Sequence, residues 1–157
     1  MPRQSTPPPG RFDVPATQPG QARTFGLVAL GGAVGTGLRV VVAELGLEWD
    51  GISVAVPVVN LVGAFAMGAF LVLLQRRHAL DSAARRRRLL LLGTGLIGGF
   101  TTYSGLAMDA VVLLSERTVV AGIAYPVVTV LGGALAAWAG IAMAQRLQRV
   151  ALRRCKS

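Results

Sequence analysis

A single cysteine, Cys155, and a single histidine, His78, stand in a chain of 157 residues. One thiol cannot build a disulfide framework, and the pair cannot supply a metal cluster with ligand spacing. No Ser-His-Asp set, HExxH motif or paired carboxylates appear, so the chain does not read as an enzyme. Charge is scarce as well: 15% of residues carry it, against 53% that are hydrophobic. A soluble domain of this length cannot bury so much apolar side chain in one core, so a membrane solvent follows. Aromatic residues do not interleave with the basic clusters, and the net charge of +9 therefore does not point to nucleic acid. Cys155 reads as an incidental tail thiol, with palmitoylation as the alternative, and His78 as a solvated loop residue.

What is present in quantity is apolar length. Four segments, Thr24–Ala43, Ser53–Leu74, Leu89–Leu114 and Val119–Ala144, can each cross a hydrocarbon core of about 30 Å, which takes roughly 20 helical residues. The alternating short strands of a membrane barrel are missing, so the fold class is all-α with four transmembrane helices. Residues 1–23 hold six of the eight prolines and are expected to form a solvated, unstructured tail. No apolar stretch with a cleavage site precedes the first span, so no signal peptide is read there. Residues 24–145 make the membrane domain, and residues 146–157 a basic tail.

Basic residues are distributed unevenly. Arg3, Arg11 and Arg23 precede the first span; Arg76, Arg77 and Arg85 through Arg88 lie between the second and third; Arg146, Arg149, Arg153, Arg154 and Lys156 follow the fourth. Only Arg39 and Arg117 fall on the other side, where Glu44, Glu48, Asp50 and Glu116 also lie. The positive-inside rule then puts both termini and the second loop in the cytoplasm of a cell-membrane protein, in one fixed orientation. Anionic lipid is a natural neighbour for the arginine run.

Small residues recur at helical spacing: Gly31 and Gly35 in the first span, Ala64 and Gly68 in the second, Gly132, Ala136, Gly140 and Ala144 in the fourth. They predict close helix approach, and so thin a bundle is expected to need a partner to enclose a path and to oligomerise. "GGAVGTG" lacks the Lys-Ser/Thr of a phosphate loop and follows no strand. Polar residues inside the spans are costly in lipid and few. Asn60 either donates an interhelical hydrogen bond or offers its NH₂ to an anion. In the third span, "GGFTTYSGLAMD" (residues 98–109) places glycines and hydroxyls near the midpoint. Such a stretch predicts a broken helix whose freed carbonyls can hold a monovalent cation and whose donors can face an anion. Asp109 is the only acidic residue well inside a span, with Arg39 as a partner matched in charge.

"GGAVGTGLRV", "VNLVGAFAMG" and "GTGLIGGFTTYSGLAMD" together resemble the three signatures of the CrcB/Fluc fluoride channels, in order and across residues 24 to 145. The resemblance implies an antiparallel dimer of four-helix protomers, passive fluoride export that relieves toxicity, and a structural sodium ion at the dimer centre. Carried over, Gly98 and Thr101 match the sodium-carbonyl positions, Asn60 the pore asparagine, Arg39 the arginine closing the first motif, and Thr102 and Ser104 the hydroxyl-bearing stretch. Where the family pattern has two pore phenylalanines, this chain has Tyr103 and Leu106, with Gly105 in place of a threonine. Those departures and the strong charge bias together imply a heterodimer with a second homologous subunit facing the other way. A proton-coupled multidrug exporter would need a carboxylate early in the first span, which is absent. A non-transporting scaffold is the other alternative.

Overall fold

The computed structural model describes residues 19–49, 52–75 and 81–154. The readings made of residues 1–18, Asp50, Arg76, Arg77, His78, Cys155 and Lys156 fall outside these. The chain runs through α1 (Pro19–Glu44), a two-stranded hairpin of β1 (Glu48–Trp49) and β2 (Ile52–Ser53), and α2 (Ala55–Gln75). The third span is segmented into α3 (Ser82–Arg88), a π-helical stretch (Leu89–Ile97), α4 (Gly98–Phe100) and α5 (Tyr103–Glu116), and α6 (Val119–Arg154) completes the fold. Four helical units are long and apolar enough to cross a membrane.

The helices overrun the apolar segments, because hydropathy marks where lipid ends and not where backbone hydrogen bonding ends. α1 begins at Pro19, a position where the missing N–H costs nothing. Arginine is a good helix former, so Ser82–Arg88 is helical rather than loop, and α6 continues into the basic tail as far as Arg154. α1 stops at Glu44, and Gly46 takes φ 59°, the left-handed conformation that ends a helix cheaply only at glycine. β1 and β2 then pair antiparallel, Glu48 opposite Ser53.

Two helix pairs make the bundle, each in parallel register. Gly31 and Gly35 of α1 lie against Leu91, Leu96 and Phe100 of the third span, and Gly99 lies against Gly32. A Cβ at Gly35 would fall on the Leu96 carbonyl oxygen, and one at Gly95 would come within 2.9 Å of the Gly31 Cα. On the other side Gly68 meets the Ala137 carbonyl and Gly140 meets the Phe65 carbonyl, joining α2 to α6. Without side chains at these crossings the backbones approach closely, and dispersion accumulates where lipid supplies no hydrophobic drive. Gly132 is different, with only Leu61 at ordinary contact distance.

Little of this surface is hidden within one protomer. Val59, Leu74, Leu106, Leu113 and Ala144 are buried, whereas Phe25, Leu30, Leu135 and Trp138 are largely exposed. Apolar side chains directed outward along whole helices are what a lipid solvent requires.

Candidate functional site

The third span breaks at Thr101 and Thr102. Thr101 has φ −75°, ψ 155° and Thr102 φ −144°, ψ 123°, so two extended residues separate α4 from α5. The glycines do not themselves unwind: Gly98 is helical in its dihedrals, and Gly99 serves the close approach to α1. The turn restarts because the Thr102 hydroxyl caps α5, accepting from the Gly105 N–H at 3.1 Å. It also lies 3.2 Å from the Ser104 hydroxyl.

Asn60 of α2 closes the gap. Its Nδ2 donates to the Thr102 carbonyl at 3.0 Å, and its Oδ1 accepts from the Thr102 N–H at 2.8 Å. The side-chain amide thus pairs with both backbone groups of one residue, as a neighbouring strand would, and satisfies polar groups that apolar surroundings would leave unmet. One N–H of its NH₂ remains beyond that pair.

The break also releases carbonyls. In a continuous helix the Gly98 carbonyl would accept from the Thr102 N–H and the Thr101 carbonyl from the Gly105 N–H. Both amides are committed elsewhere, to Asn60 and to the Thr102 hydroxyl. The Thr101 hydroxyl turns back to the Ile97 carbonyl at 3.1 Å and reaches Gly98 O only at 3.5 Å. Gly98 and Thr101 are therefore among the carbonyls at the break whose helical donors are missing. Neutral, hard oxygens of this kind suit an alkali cation.

Arg39, Thr102 and Ser104 line one cleft of about 280 Å³ with Val40, Val56 and Gly105. It lies at the N-terminal end of α5, where the first amides have no intrahelical acceptor and the helix dipole favours an anion. Tyr103 and Leu106, the two departures from the phenylalanine pattern, part company. Tyr103 is 83% exposed on the outside of the protomer, and Leu106 is buried within it at 5%.

Asp109 does not pair with Arg39. It accepts from the Tyr125 hydroxyl of α6 at 2.7 Å, while Arg39 borders the cleft at the break. One turn further along α6, the buried Thr129 donates to the Tyr125 carbonyl at 2.8 Å. Tyr125 and Thr129 border a cleft of about 470 Å³ between α2 and α6, together with Pro57 and Leu61. Sequence reading passed over both, although two hydroxyl residues four apart in an apolar span were a visible signal. Thr36 of α1 was passed over too; its hydroxyl reaches the Gly99 carbonyl at 3.4 Å.

Comparison with known proteins is consistent with this geometry. The profile of the family described as CrcB-like protein, Camphor Resistance (CrcB), matches residues 26–141. The chain is 43% identical over 121 residues to "Fluoride-specific ion channel FluC 1" of Cutibacterium acnes, covering 74% of this chain and 82% of that one. It is 41% identical over 121 residues to "Fluoride-specific ion channel FluC 2" of Leifsonia xyli, covering 77% and 83%. With "Fluoride-specific ion channel FluC" of Rhizobium etli it shares 39% over 132 residues, covering 82% and 94%. The chain therefore belongs to the CrcB/FluC fluoride channel family, a family of channels and not of enzymes.

Proposed function

We propose that this chain is a subunit of a fluoride-selective channel that lets the ion leave the cell passively. The observation that carries the reading is the clamp of Asn60 on Thr102 at the break, beside the cleft lined by Arg39, Thr102 and Ser104. Fluoride is small and tightly hydrated, so its path must replace water with donors. Arg39, the spare N–H of Asn60, and the hydroxyls of Thr102 and Ser104 are the donors at hand. Tyr103 and Leu106, the other two residues assigned to the path from the sequence, do not line this cleft, and Tyr103, exposed on the outside of the protomer, would border a path only against a second subunit. The multidrug-exporter alternative has no support in α1, where no acidic residue precedes Glu44 among the described positions.

Two freed carbonyls per protomer, Gly98 and Thr101, are half of a four-oxygen cage, and a second protomer would supply the rest. A sodium ion bound there would neutralise the carbonyl dipoles and tie two breaks together. A dimer is also supported by Tyr103: a phenol exposed at the level of the break is poorly matched to hydrocarbon and calls for a protein neighbour. The charge bias supports an antiparallel arrangement with a second homologous subunit, this chain keeping both termini in the cytoplasm.

The test is fluoride efflux from liposomes read with a fluoride electrode. The chain co-reconstituted with an oppositely oriented homologue should release fluoride while retaining chloride. No fluoride flux from a folded, co-assembled pair would overturn the channel reading for this chain.

A further inference from the structure

Seven described arginines gather at one end of the bundle, and six of them hold nothing among the described residues. They are Arg23 of α1, Arg85 to Arg88 of α3, and Arg146 and Arg149 of α6, all exposed. The glycine contacts set their level. Gly31 packs on Leu91, so Arg23 sits two turns, about 12 Å, below that crossing, and Arg85–Arg88 precede Leu91 by a turn or two. Gly140 packs on Phe65, so Arg146 and Arg149 run alongside the end of α2. Arg85 donates from Nη2 to the carbonyl of Gln75, the last residue of α2, at 2.8 Å. The other six guanidinium groups make no ion pair or hydrogen bond among the described residues. The only carboxylate described at this end is Asp81, which accepts from the Ser82 hydroxyl.

Four consecutive arginines cannot share one face, because successive helical residues turn by about 100°. They therefore ring α3 and serve no single packing contact. α3 passes without interruption into the apolar stretch that begins at Leu89, which fixes the ring at the edge of the hydrocarbon. Long arginine stems lie along apolar surface while their heads stay at the interface. The opposite end has no such collar: it carries Glu44, Glu48 and Glu116, with Arg117.

We propose that this collar binds anionic phospholipid headgroups, the guanidinium forks pairing with phosphate oxygens. The occupant is the membrane's own anionic lipid, and the inference is independent of what the chain conducts.

Native mass spectrometry of the full chain in detergent tests it, with titration by dioleoyl phosphatidylglycerol or dioleoyl phosphatidylcholine. The wild type should bind phosphatidylglycerol at least tenfold more tightly at low salt, and the preference should collapse in 0.5 M salt, because surface pairing is screened. Each interfacial charge is worth about fivefold. Removing five of them outweighs a tenfold preference many times over, so the variant carrying Arg86→Gln, Arg87→Gln, Arg88→Gln, Arg146→Gln and Arg149→Gln should bind the two lipids equally. Lysine at the same five positions should keep most of it, and Arg117→Gln should leave it unchanged. Equal binding of the two lipids, or a preference that survives 0.5 M salt in the wild type, overturns the proposal even if the glutamine variant fails to fold. Tighter binding of a 20-mer DNA oligonucleotide than of phosphatidylglycerol would overturn it in favour of a nucleic-acid surface.

Discussion

Asn60 shows how a single side chain can hold a broken helix closed. It satisfies both backbone groups of Thr102, so Asn60→Leu should leave a buried N–H and a buried C=O unmet, at a cost of about 2 kcal/mol or more. Thermal unfolding in detergent checks this; a midpoint equal to wild type would mean the clamp contributes nothing. The same variant cannot separate a channel from a scaffold, because stability and path fall together. Ser104→Ala separates them better, since Ser104 is exposed in the cleft and its hydroxyl touches only that of Thr102. That substitution should leave the unfolding midpoint within about 0.5 kcal/mol of wild type and lower fluoride flux in the assembled channel. Asp109 offers a parallel case. Tyr125→Phe removes a side-chain hydrogen bond to that carboxylate and should destabilise by about 1–3 kcal/mol; Asp109→Asn should do less, because an amide oxygen can still accept from Tyr125. The sequence made these residue types conspicuous, since polar groups in apolar spans are few. Their partners were not legible: Asn60 and Thr102 are 42 residues apart, and charge alone suggested Arg39 for Asp109 where a phenol on α6 holds it.

The four spans were readable because about 20 consecutive apolar residues have one outcome in lipid. The location of the break was readable for a related reason, as glycines and hydroxyls crowd one short stretch. Which helices pair was not readable, because small residues at i and i+4 announce a close approach without naming the neighbour. The register of the glycines now distinguishes them. Gly35→Ala puts a methyl on the Leu96 carbonyl between α1 and the third span, and backbone cannot yield as a side chain does. A loss of about 1–3 kcal/mol is expected. Gly132→Ala meets only Leu61 at 3.7 Å and should be neutral or stabilising by up to about 1 kcal/mol, since alanine loses less backbone entropy in a helix. If both variants melt alike, the close crossing of α1 with the third span is wrong. The π-helical stretch Leu89–Ile97 had no sequence signature. A π-helical turn is a widened turn set by the neighbours a helix meets, and Gly93 and Gly95, both buried within it, permit that packing.

Orientation belongs to the whole molecule, and in the proposed topology the arginine collar sets it. Fourteen of the sixteen basic residues are assigned by the alternation of four spans to one side. A bias of that size should select one topology during insertion, because translocating each arginine opposes both the membrane potential and the negative inner surface. Cys155 is the only cysteine and can report the outcome without any introduced cysteine. In intact cells a membrane-impermeant maleimide should leave it unlabelled, and permeabilisation should expose it fully. Replacing Arg85 through Arg88 with glutamine removes four charges next to the third span, and part of the population should then become labelled from outside. The consequence for assembly is direct. An antiparallel dimer needs two orientations, so the wild-type chain alone should give no fluoride efflux, whereas the dual-topology variant should form pairs with itself. Efflux from the wild type alone, with Cys155 on one side only, would show that no oppositely oriented partner is needed, and the heterodimer would be excluded.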